Sequence, residues 1–209
     1  MRIPLDRRVW PGAVVLTLAV LALAPFWRAG AIGAAVLLFC HLAFFRDFER
    51  APEGDGLLSP ADGTVVEISE LFENRFLQRE AVKIGIFLSV FVPHVNRAPG
   101  SGTVRYLSYE PGKFLNALRQ ESVNWNESNW IGIEENPDRR VLVRQMAGVL
   151  ARRIHWDVGV NQPVKRGDKL GIICYGSRVE CFLPERSFQT LVRVGERVRA
   201  GQTVLGHWA

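Results

Sequence analysis

Three short segments of the chain carry the side chains that nucleophilic catalysis requires. Asp62 lies in Ser-Pro-Ala-Asp-Gly, His94 in His-Val-Asn-Arg-Ala-Pro, and Ser177 follows Gly176 in Tyr-Gly-Ser-Arg. A serine hydroxyl becomes a nucleophile when a histidine takes its proton and a carboxylate orients that histidine. A glycine before the serine removes side-chain bulk around its own carbonyl and permits a strained backbone. The set therefore favours attack by Ser177 on the preceding peptide bond.

Each segment taken alone has an ordinary structural interpretation. Asp-Gly is a common turn dipeptide, a single histidine at a strand end is more often structural than catalytic, and Gly-Ser is a weak signal. Only the combination indicates chemistry. A serine enzyme that hydrolyses an external ester or peptide is one alternative, but the chain lacks a Gly-x-Ser-x-Gly elbow. In that alternative, Ser177 would remain a serine.

The elements that must position these side chains are mostly short strands separated by Pro and Gly. Apolar runs predict strands at residues 63–68, 82–92, 103–107, 130–134, 140–148 and 170–174. One helix is expected over residues 113–121. The sequence therefore predicts a mostly-β (α+β) domain, either a barrel or a sandwich of short strands.

A weak internal repeat lies near the C-terminus. Residues 164–171 and 198–206 each place a glycine, Gly167 or Gly201, in a turn before an apolar strand. Such units recur in lipoyl-like sandwiches, whose carrier members need a lysine at a hairpin tip. The corresponding region here is Tyr-Gly-Ser-Arg, so we expect a lipoyl-like architecture without carrier chemistry. A non-enzymatic, membrane-tethered carrier or binding module is the main alternative, and it predicts an uncut chain.

Residues 1–50 differ in composition from residues 51–209. The runs 9–27 and 29–45 contain no Asp, Glu, Lys or Arg, and each is close to the length that crosses about 30 Å of hydrocarbon. A cleaved signal peptide is the weaker interpretation, because a second apolar run follows the first. We expect a membrane-anchoring helical hairpin that spans the bilayer or lies deep in one leaflet. Basic residues on both flanks put the catalytic domain on the cytoplasmic face of the cell membrane, here a bacterial inner membrane.

The bulk composition narrows the class of partner. A net charge of +5 and a pI near 9.5 favour acidic partners. The charge does not choose among nucleic acid, anionic lipid and a phosphorylated substrate. From the surrounding sequence we expect an anionic membrane and no nucleic acid. With 48% hydrophobic and 22% charged residues, the chain is not disordered. Three cysteines and four histidines without ligand spacing predict neither a disulfide framework nor a metal site. The oligomeric state stays open, a homo-oligomer included.

In order along the chain, these segments resemble the phosphatidylserine decarboxylase family, closest to its short bacterial and archaeal form. The resemblance runs from about Phe44 to the C-terminus. It is carried by residues 45–47, 59–63, 94–99, 111–117, 126–129, 151–154 and 175–178. Phe48 departs from a usual proline, Val92 and Pro93 stand where an acidic residue is usual, and Arg97 replaces the second histidine of longer members. We therefore expect His94 to serve steps that other members divide between two histidines.

The resemblance implies a proenzyme that cuts itself between Gly176 and Ser177. The products would be a large chain of residues 1–176 and a small chain of residues 177–209. Ser177 would become a covalent pyruvoyl group, the pyruvate cofactor, which forms a Schiff base with the substrate amine and accepts electrons as carbon dioxide leaves. The implied reaction converts phosphatidylserine in an anionic membrane to phosphatidylethanolamine, a step of phospholipid biosynthesis.

The resemblance also assigns roles to individual residues. Ser177 would attack the Gly176 carbonyl, His94 would take its proton, and Asp62 would orient the imidazole. A donor for the lipid phosphate is needed as well. The arginines expected to supply it are Arg97, Arg152, Arg153 and Arg178.

Overall fold

The computed structural model describes residues 5–116, 124–148, 153–174 and 177–209. The chain divides into two compact units, Met1–Glu49 and Arg50–Ala209. In the described residues, the regular structure of the first unit is helical and that of the second is almost entirely β-strand.

The first unit is a helical hairpin. Helix α1 covers Val9–Leu23 and helix α2 covers Arg28–Phe44. The helices are joined near their open end, where His41 Nε2 lies 2.9 Å from the carbonyl oxygen of Val9. Gly12 leaves room for the imidazole, because a Cβ at that position would lie 2.6 Å from the ring. The hairpin predicted from the two apolar runs is confirmed.

Many apolar side chains of the hairpin point outward. Leu18, Leu21, Phe26 and Phe39 are all more than half exposed. The helices contain 15 and 17 residues. By length and apolar content, no helix in the described part of the chain qualifies as a membrane span.

The second unit is built from short strands joined by turns. Its strands are β1 Leu57–Leu58, β2 Gly63–Glu73, β3 Arg79–Leu88, β4 Val95–Arg97, β5 Gly102–Glu110, β6 Ser128–Asn136, β7 Arg139–Met146, β8 Ile154–Trp156, β9 Pro163–Val164, β10 Lys169–Ile173, β11 Ser177–Pro184, β12 Phe188–Thr190, β13 Arg197–Val198 and β14 Val204–Trp208. The strands expected from apolar runs are present as β2, β3, β5, β6, β7 and β10. The mostly-β prediction is confirmed.

The strands form one large sheet and two small ones. The large sheet has the order β13-β2-β3-β11-β7-β6-β5-β9 and curls into a half-barrel. The small sheets have the orders β1-β14-β12 and β4-β10-β8. Strands β3 and β11 pair antiparallel from Ser177↔Leu88 to Pro184↔Ala81. Alternate side chains of both strands, such as Ile86 and Val179, enter one continuous apolar core.

The internal repeat corresponds to two similar turns. Gly167 and Gly201 have φ of +87° and +68°, a region that glycine enters without a Cβ penalty. The first turn leads into β10 and the second into β14, the central strands of the two small sheets. Each repeat unit therefore connects an edge strand of the large sheet, β9 or β13, to the central strand of a small sheet.

The strand expected at residues 82–92 is shorter than predicted. It ends at Leu88, and residues 89–92 form a turn in which the Val92 amide donates to the Ser89 carbonyl at 3.1 Å. The apolar run continues past this end because Val90 and Phe91 are apolar but exposed. Apolar sequence alone did not separate a buried strand from an exposed turn.

The helix expected over residues 113–121 is not found in its described part, residues 113–116. Lys113 instead forms a β-bridge with Asn126. The buried Asn126 side chain accepts from the Leu115 amide at 2.8 Å and donates to the Leu115 carbonyl at 2.9 Å. These bonds satisfy the backbone in a non-helical conformation. Residues 117–121 lie outside the described residues.

Candidate active site

Ser177 is the first residue of β11 and is fully buried. Its side chain shares a face with the core residues Val179 and Cys181. The Oγ atom has no hydrogen-bond partner among the described residues. A buried hydroxyl without a partner costs about 1–3 kcal/mol, so such groups call for a functional explanation. Gly176, the other residue of the predicted cleavage site, lies outside the described residues.

His94 lies at the start of β4 and is also fully buried. Its Nδ1 lies 2.8 Å from the carbonyl oxygen of Val92. Because a carbonyl oxygen can only accept, Nδ1 carries the proton in this contact. In the neutral ring, Nε2 therefore keeps its lone pair and is available as a base.

The topology brings His94 and Ser177 to the two ends of one short connection. The Ile173 amide donates to the carbonyl of His94 at 3.2 Å, and Ser177 pairs with Leu88. The segment from Ile173 to Ser177 spans at most about 14 Å when fully extended. Distant parts of the sequence thus meet where β3, β4, β10 and β11 begin or end.

Asp62 lies just before β2 and is buried. Its Oδ2 accepts from Arg50 Nη1 at 2.8 Å, and the same nitrogen lies 3.2 Å from the Ala200 carbonyl. Burial raises the pKa of the Asp62 carboxyl, although Arg50 acts in the opposite direction. Asp62 and His94 were expected to contact each other directly. In the structure, the contact that orients His94 through Nδ1 is with the Val92 carbonyl, because the turn after β3 brings that oxygen to the ring.

A cavity of about 590 Å³ opens beside Asp62. Its walls combine polar and apolar side chains from the β2 start, the turn after β3, and β13. The lining residues are Asp62, Gly63, Thr64, Phe87, Ser89, Phe91, Val92, Arg197, Val198 and Arg199. Val92 links this cavity to the histidine, since its carbonyl holds the imidazole.

Comparisons with known proteins fit this arrangement. The family model described as phosphatidylserine decarboxylase matches residues 37–206. A phosphatidylserine decarboxylase proenzyme of Symbiobacterium thermophilum is 47% identical over 99% of this chain and 97% of its own length. The proenzyme of Carboxydothermus hydrogenoformans is 45% identical, over 88% of this chain and 86% of its own.

The chain belongs to the phosphatidylserine decarboxylase family. The match to the family covers nearly all of the second unit and the end of α2. Asp62, His94 and Ser177 all lie within it. The resemblance stated from short motifs is confirmed at the level of the family.

The four arginines predicted to bind phosphate in this decarboxylase-family chain have different environments. Arg97 is half-buried and donates to the Gly167 carbonyl at 3.0 Å. Arg153 is exposed, and its carbonyl accepts from the Cys174 amide at 3.1 Å. Arg152 lies outside the described residues. The cavity beside Asp62 is not lined by any of the three described ones, Arg97, Arg153 and Arg178.

Arg178 is enclosed on the face of β11 opposite to Ser177. It is 1% exposed, and its guanidinium pairs with Glu67 and, at 3.0 Å, with Glu180 Oε1. Lys83 Nζ lies 2.6 Å from Glu67 Oε1, which completes a buried ionic cluster. This pairing argues against Arg178 as a phosphate ligand, because its guanidinium donors are already used by the carboxylates of Glu67 and Glu180.

Sequence reasoning missed four residues of this family member's site. Arg50 pairs with Asp62, Val92 holds His94, and Arg197 and Arg199 line the cavity. Arg199 lies within the repeat segment at 198–206, and Arg197 directly precedes it. The pattern of that segment indicates a glycine turn and gives no sign of a binding site. The backbone role of Val92 leaves no trace in residue type, so no sequence signal could have indicated it.

Proposed function

We propose that the chain decarboxylates phosphatidylserine to phosphatidylethanolamine, using a pyruvoyl group that it makes from Ser177. The observation that carries this proposal is the buried Ser177 Oγ without a hydrogen-bond partner among the described residues. Family membership supports the reaction, since the relatives are named proenzymes of this decarboxylase. The name proenzyme also agrees with a precursor that becomes two chains, residues 1–176 and 177–209.

The buried position of Ser177 suits a pyruvoyl group that is formed from the residue itself. The residue begins a strand and is buried in the core, so a group made there is held rigidly and away from bulk water. The pyruvoyl group supplies the electron sink that decarboxylation of an amino acid needs. The protein itself must bind the headgroup, exclude water and move protons.

Self-cleavage would start with the attack of Ser177 Oγ on the carbonyl carbon of Gly176. His94 Nε2 takes the hydroxyl proton, because Nδ1 is committed to the Val92 carbonyl. The amide becomes an ester, and the amine of residue 177 is freed. Elimination then leaves a carboxylate on Gly176 and dehydroalanine at position 177. Addition of water and loss of ammonia convert the dehydroalanine to the pyruvoyl group.

The helical hairpin supports a membrane-bound enzyme on the cytoplasmic face of the cell membrane. Its outward apolar side chains would be stabilised by lipid, at about 25 cal/mol for each Å² removed from water. A lipid substrate whose acyl chains stay in the leaflet need not be extracted at about 0.8 kcal/mol per CH₂. The basic flanks, Arg7 and Arg8 before α1 and Arg46 and Arg50 after α2, favour the anionic inner surface.

Replacement of Ser177 tests the proposal directly. Ser177→Ala lacks both the nucleophile and the ester oxygen, so we expect one uncut chain of 209 residues and no decarboxylase activity. The control Ser187→Ala, in the same small chain, should be cut like the wild type. The measurement is a denaturing gel together with the intact mass of the fragment 177–209. The first residue of this fragment should carry a ketone in place of the terminal amine.

Two results would contradict the proposal. A Ser177→Ala chain that still gives the fragment 177–209 would exclude self-cleavage by this serine. An uncut and inactive wild-type chain would instead favour the carrier or binding module.

A further inference from the structure

We propose that Arg197 and Arg199 bind the phosphodiester of the lipid headgroup, in the cavity beside Asp62. This inference rests on the proposed function and assigns the phosphate-binding role to two residues outside the motifs. It identifies the anionic group by its chemistry: a phosphodiester joined on one side to serine and on the other to an apolar lipid.

The two arginines project into the cavity together. Strand β13 pairs with the start of β2 through Arg197↔Thr64 and Val198↔Gly63. Val198 is buried, whereas Arg197 and Arg199 are exposed on either side of it. Side chains alternate along an extended segment, so residues two apart share a face. Both arginines accordingly line the same cavity.

Neither guanidinium is paired within the described residues, and Arg199 is attracted to Asp62 only at longer range. Arg197 and Arg199 make no side-chain hydrogen bond or ion pair with any residue of the described ranges. Asp62, the one acidic residue among those lining the cavity, already pairs with Arg50 at 2.8 Å. The cavity thus contains two cationic side chains whose charge an incoming anion can balance. Arginine suits this role because its planar fork of donors matches the oxygens of a phosphate.

The cavity borders the end of β3, the strand that pairs with the start of β11. Phe87 and Ser89 line it, and they flank Leu88, which pairs with Ser177. In phosphatidylserine, only the Cα and Cβ of serine separate the amine from the phosphate ester. A phosphate held by the arginines therefore keeps the amine in the same cavity, beside the strand that pairs with β11.

Part of the remaining wall of the cavity is apolar. Phe91 is 84% exposed at the tip of the turn after β3, and Val92 and Val198 lie beside it. A site with cations at one side and an exposed aromatic ring at the other is complementary to an amphiphile with a phosphate. Free phosphate would use only the arginines, whereas a lipid headgroup would also cover the apolar wall.

The first test separates substrate binding from chemistry. The variants are Arg197→Gln, Arg199→Gln and the double variant, with Arg193→Gln as a control of equal charge change outside the cavity. We expect each single cavity variant to raise the KM for phosphatidylserine in mixed micelles about tenfold, which corresponds to the loss of one charged hydrogen bond. The double variant should raise it about a hundredfold, and kcat should change little in all three. Arg199→Lys should restore part of the affinity. Formation of the fragment 177–209 shows that each variant folds.

An unchanged KM in the double variant of an active enzyme would overturn the inference and leave the proposed function intact. An equal rise in KM for Arg193→Gln would also overturn it, since the effect would then come from net charge alone.

The second test does not depend on activity. Full-length Ser177→Ala protein is titrated calorimetrically with glycerophosphoserine, serine and inorganic phosphate. We expect glycerophosphoserine to bind and the Arg197→Gln/Arg199→Gln change to weaken it about a hundredfold, with serine binding unaffected. Binding of inorganic phosphate as tight as that of glycerophosphoserine would indicate a general phosphate site and overturn the headgroup assignment. If the wild-type protein has no decarboxylase activity, arginine-dependent binding of glycerophosphoserine would support the inference and contradict the proposed function.

Discussion

The imidazole of His94 is held by a backbone carbonyl two residues earlier in the chain. The Val92 carbonyl fixes the proton on Nδ1, and a turn of the chain therefore sets the tautomer. The Asp62 carboxylate lines the cavity that Val92 also lines, and Arg50 pairs with it there. The roles of the histidine and the carboxylate should then be separable by mutation.

We expect His94→Ala to impair both self-cleavage and turnover, and Asp62→Asn to impair mainly self-cleavage. His94 is the base for Ser177, and loss of a general base costs about 10²–10⁴-fold in rate. Asp62→Asn leaves the Val92 contact in place but removes a negative charge that favours the imidazolium formed during attack. Once the serine is gone, this need ends.

The measurement has two parts. Self-cleavage is followed as the appearance of the fragment 177–209 during cell-free synthesis, with His155→Ala as a matched histidine control. Decarboxylation is then expressed per pyruvoyl in the fraction that matured. Normal turnover by matured His94→Ala would assign the proton to another residue.

The position of an arginine in the sequence does not show which face of the sheet its side chain reaches. Arg178 was one of the four arginines expected to bind the lipid phosphate. Adjacent residues of a strand point to opposite faces, so its guanidinium lies among Glu67 and Glu180 instead. Arg199 reaches the cavity only because β13 pairs with β2, a long-range contact that local sequence does not encode.

At the scale of elements, β11 separates chemistry from structural support. One face carries Ser177, and the other carries Arg178 and Glu180 within the ionic cluster. Gly85, opposite Glu180 on β3, makes room for the guanidinium: a Cβ there would lie 2.6 Å from Arg178 Nη2. The cluster ties β2, β3 and β11 together, because Glu67 lies on β2.

Gly85→Ala tests this support. The added methyl group must displace a buried guanidinium that two carboxylates hold, so we expect a loss of about 1–3 kcal/mol in the free energy of unfolding. Thermal unfolding of detergent-solubilised protein should show a Tm lower by several degrees. Gly54→Ala is the control, because a Cβ there meets only Val204, at 3.9 Å. Equal Tm values for the two variants would contradict a space-filling role for the guanidinium.

The same cluster predicts a dependence of stability on pH. Burial alone would raise the pKa of Glu67, but bonds from Lys83 and Ser69 and the nearby Arg178 lower it to about 2. A carboxyl whose pKa is lower in the folded state stabilises the fold above its unfolded pKa. That stabilisation is lost as the pH falls through the folded value.

We therefore expect the free energy of unfolding to decrease between about pH 4.5 and pH 2, with a contribution from Glu67 of order 1–3 kcal/mol. Urea unfolding of wild type and Glu67→Gln at a series of pH values measures it. The variant should be less stable near neutral pH and should lose less stability in this acidic range. Parallel curves for both proteins would remove Glu67 from the acid sensitivity.

The elements were predictable where one local pattern decides them. Alternation of apolar residues indicated β2 and β5, and charge-free runs indicated the hairpin. The pattern failed where a contact distant in sequence prevails, as when Asn126 bonds the backbone of Leu115 in place of a helical turn. The ionic cluster is another contact between distant parts of the chain, since only the folded sheet brings Arg178 between Glu67 and Glu180.

At the scale of the whole molecule, the two units have different surfaces. The second unit buries apolar side chains in a large core and in a smaller cluster that includes Trp130 and Phe182. The helical hairpin instead exposes them, with Leu18 and Leu37 about 60% exposed. Apolar surface of this kind needs another apolar phase, which is why we propose that the hairpin attaches the enzyme to lipid.

We expect the full-length variant Leu18→Asp/Leu37→Asp to leave the membrane. Each change replaces an outward apolar side chain, whose burial is worth about 1.5–3 kcal/mol, with a charge that resists transfer into lipid. Together these losses should lower the membrane-bound fraction at least about tenfold in a sedimentation assay. Leu191→Asp is the control, because Leu191 is 52% exposed but belongs to the second unit. The fragment 177–209 should form in both variants, which shows that the second unit still folds. A double variant that sediments with membranes like the wild type and resists carbonate washing would exclude the hairpin as the anchor.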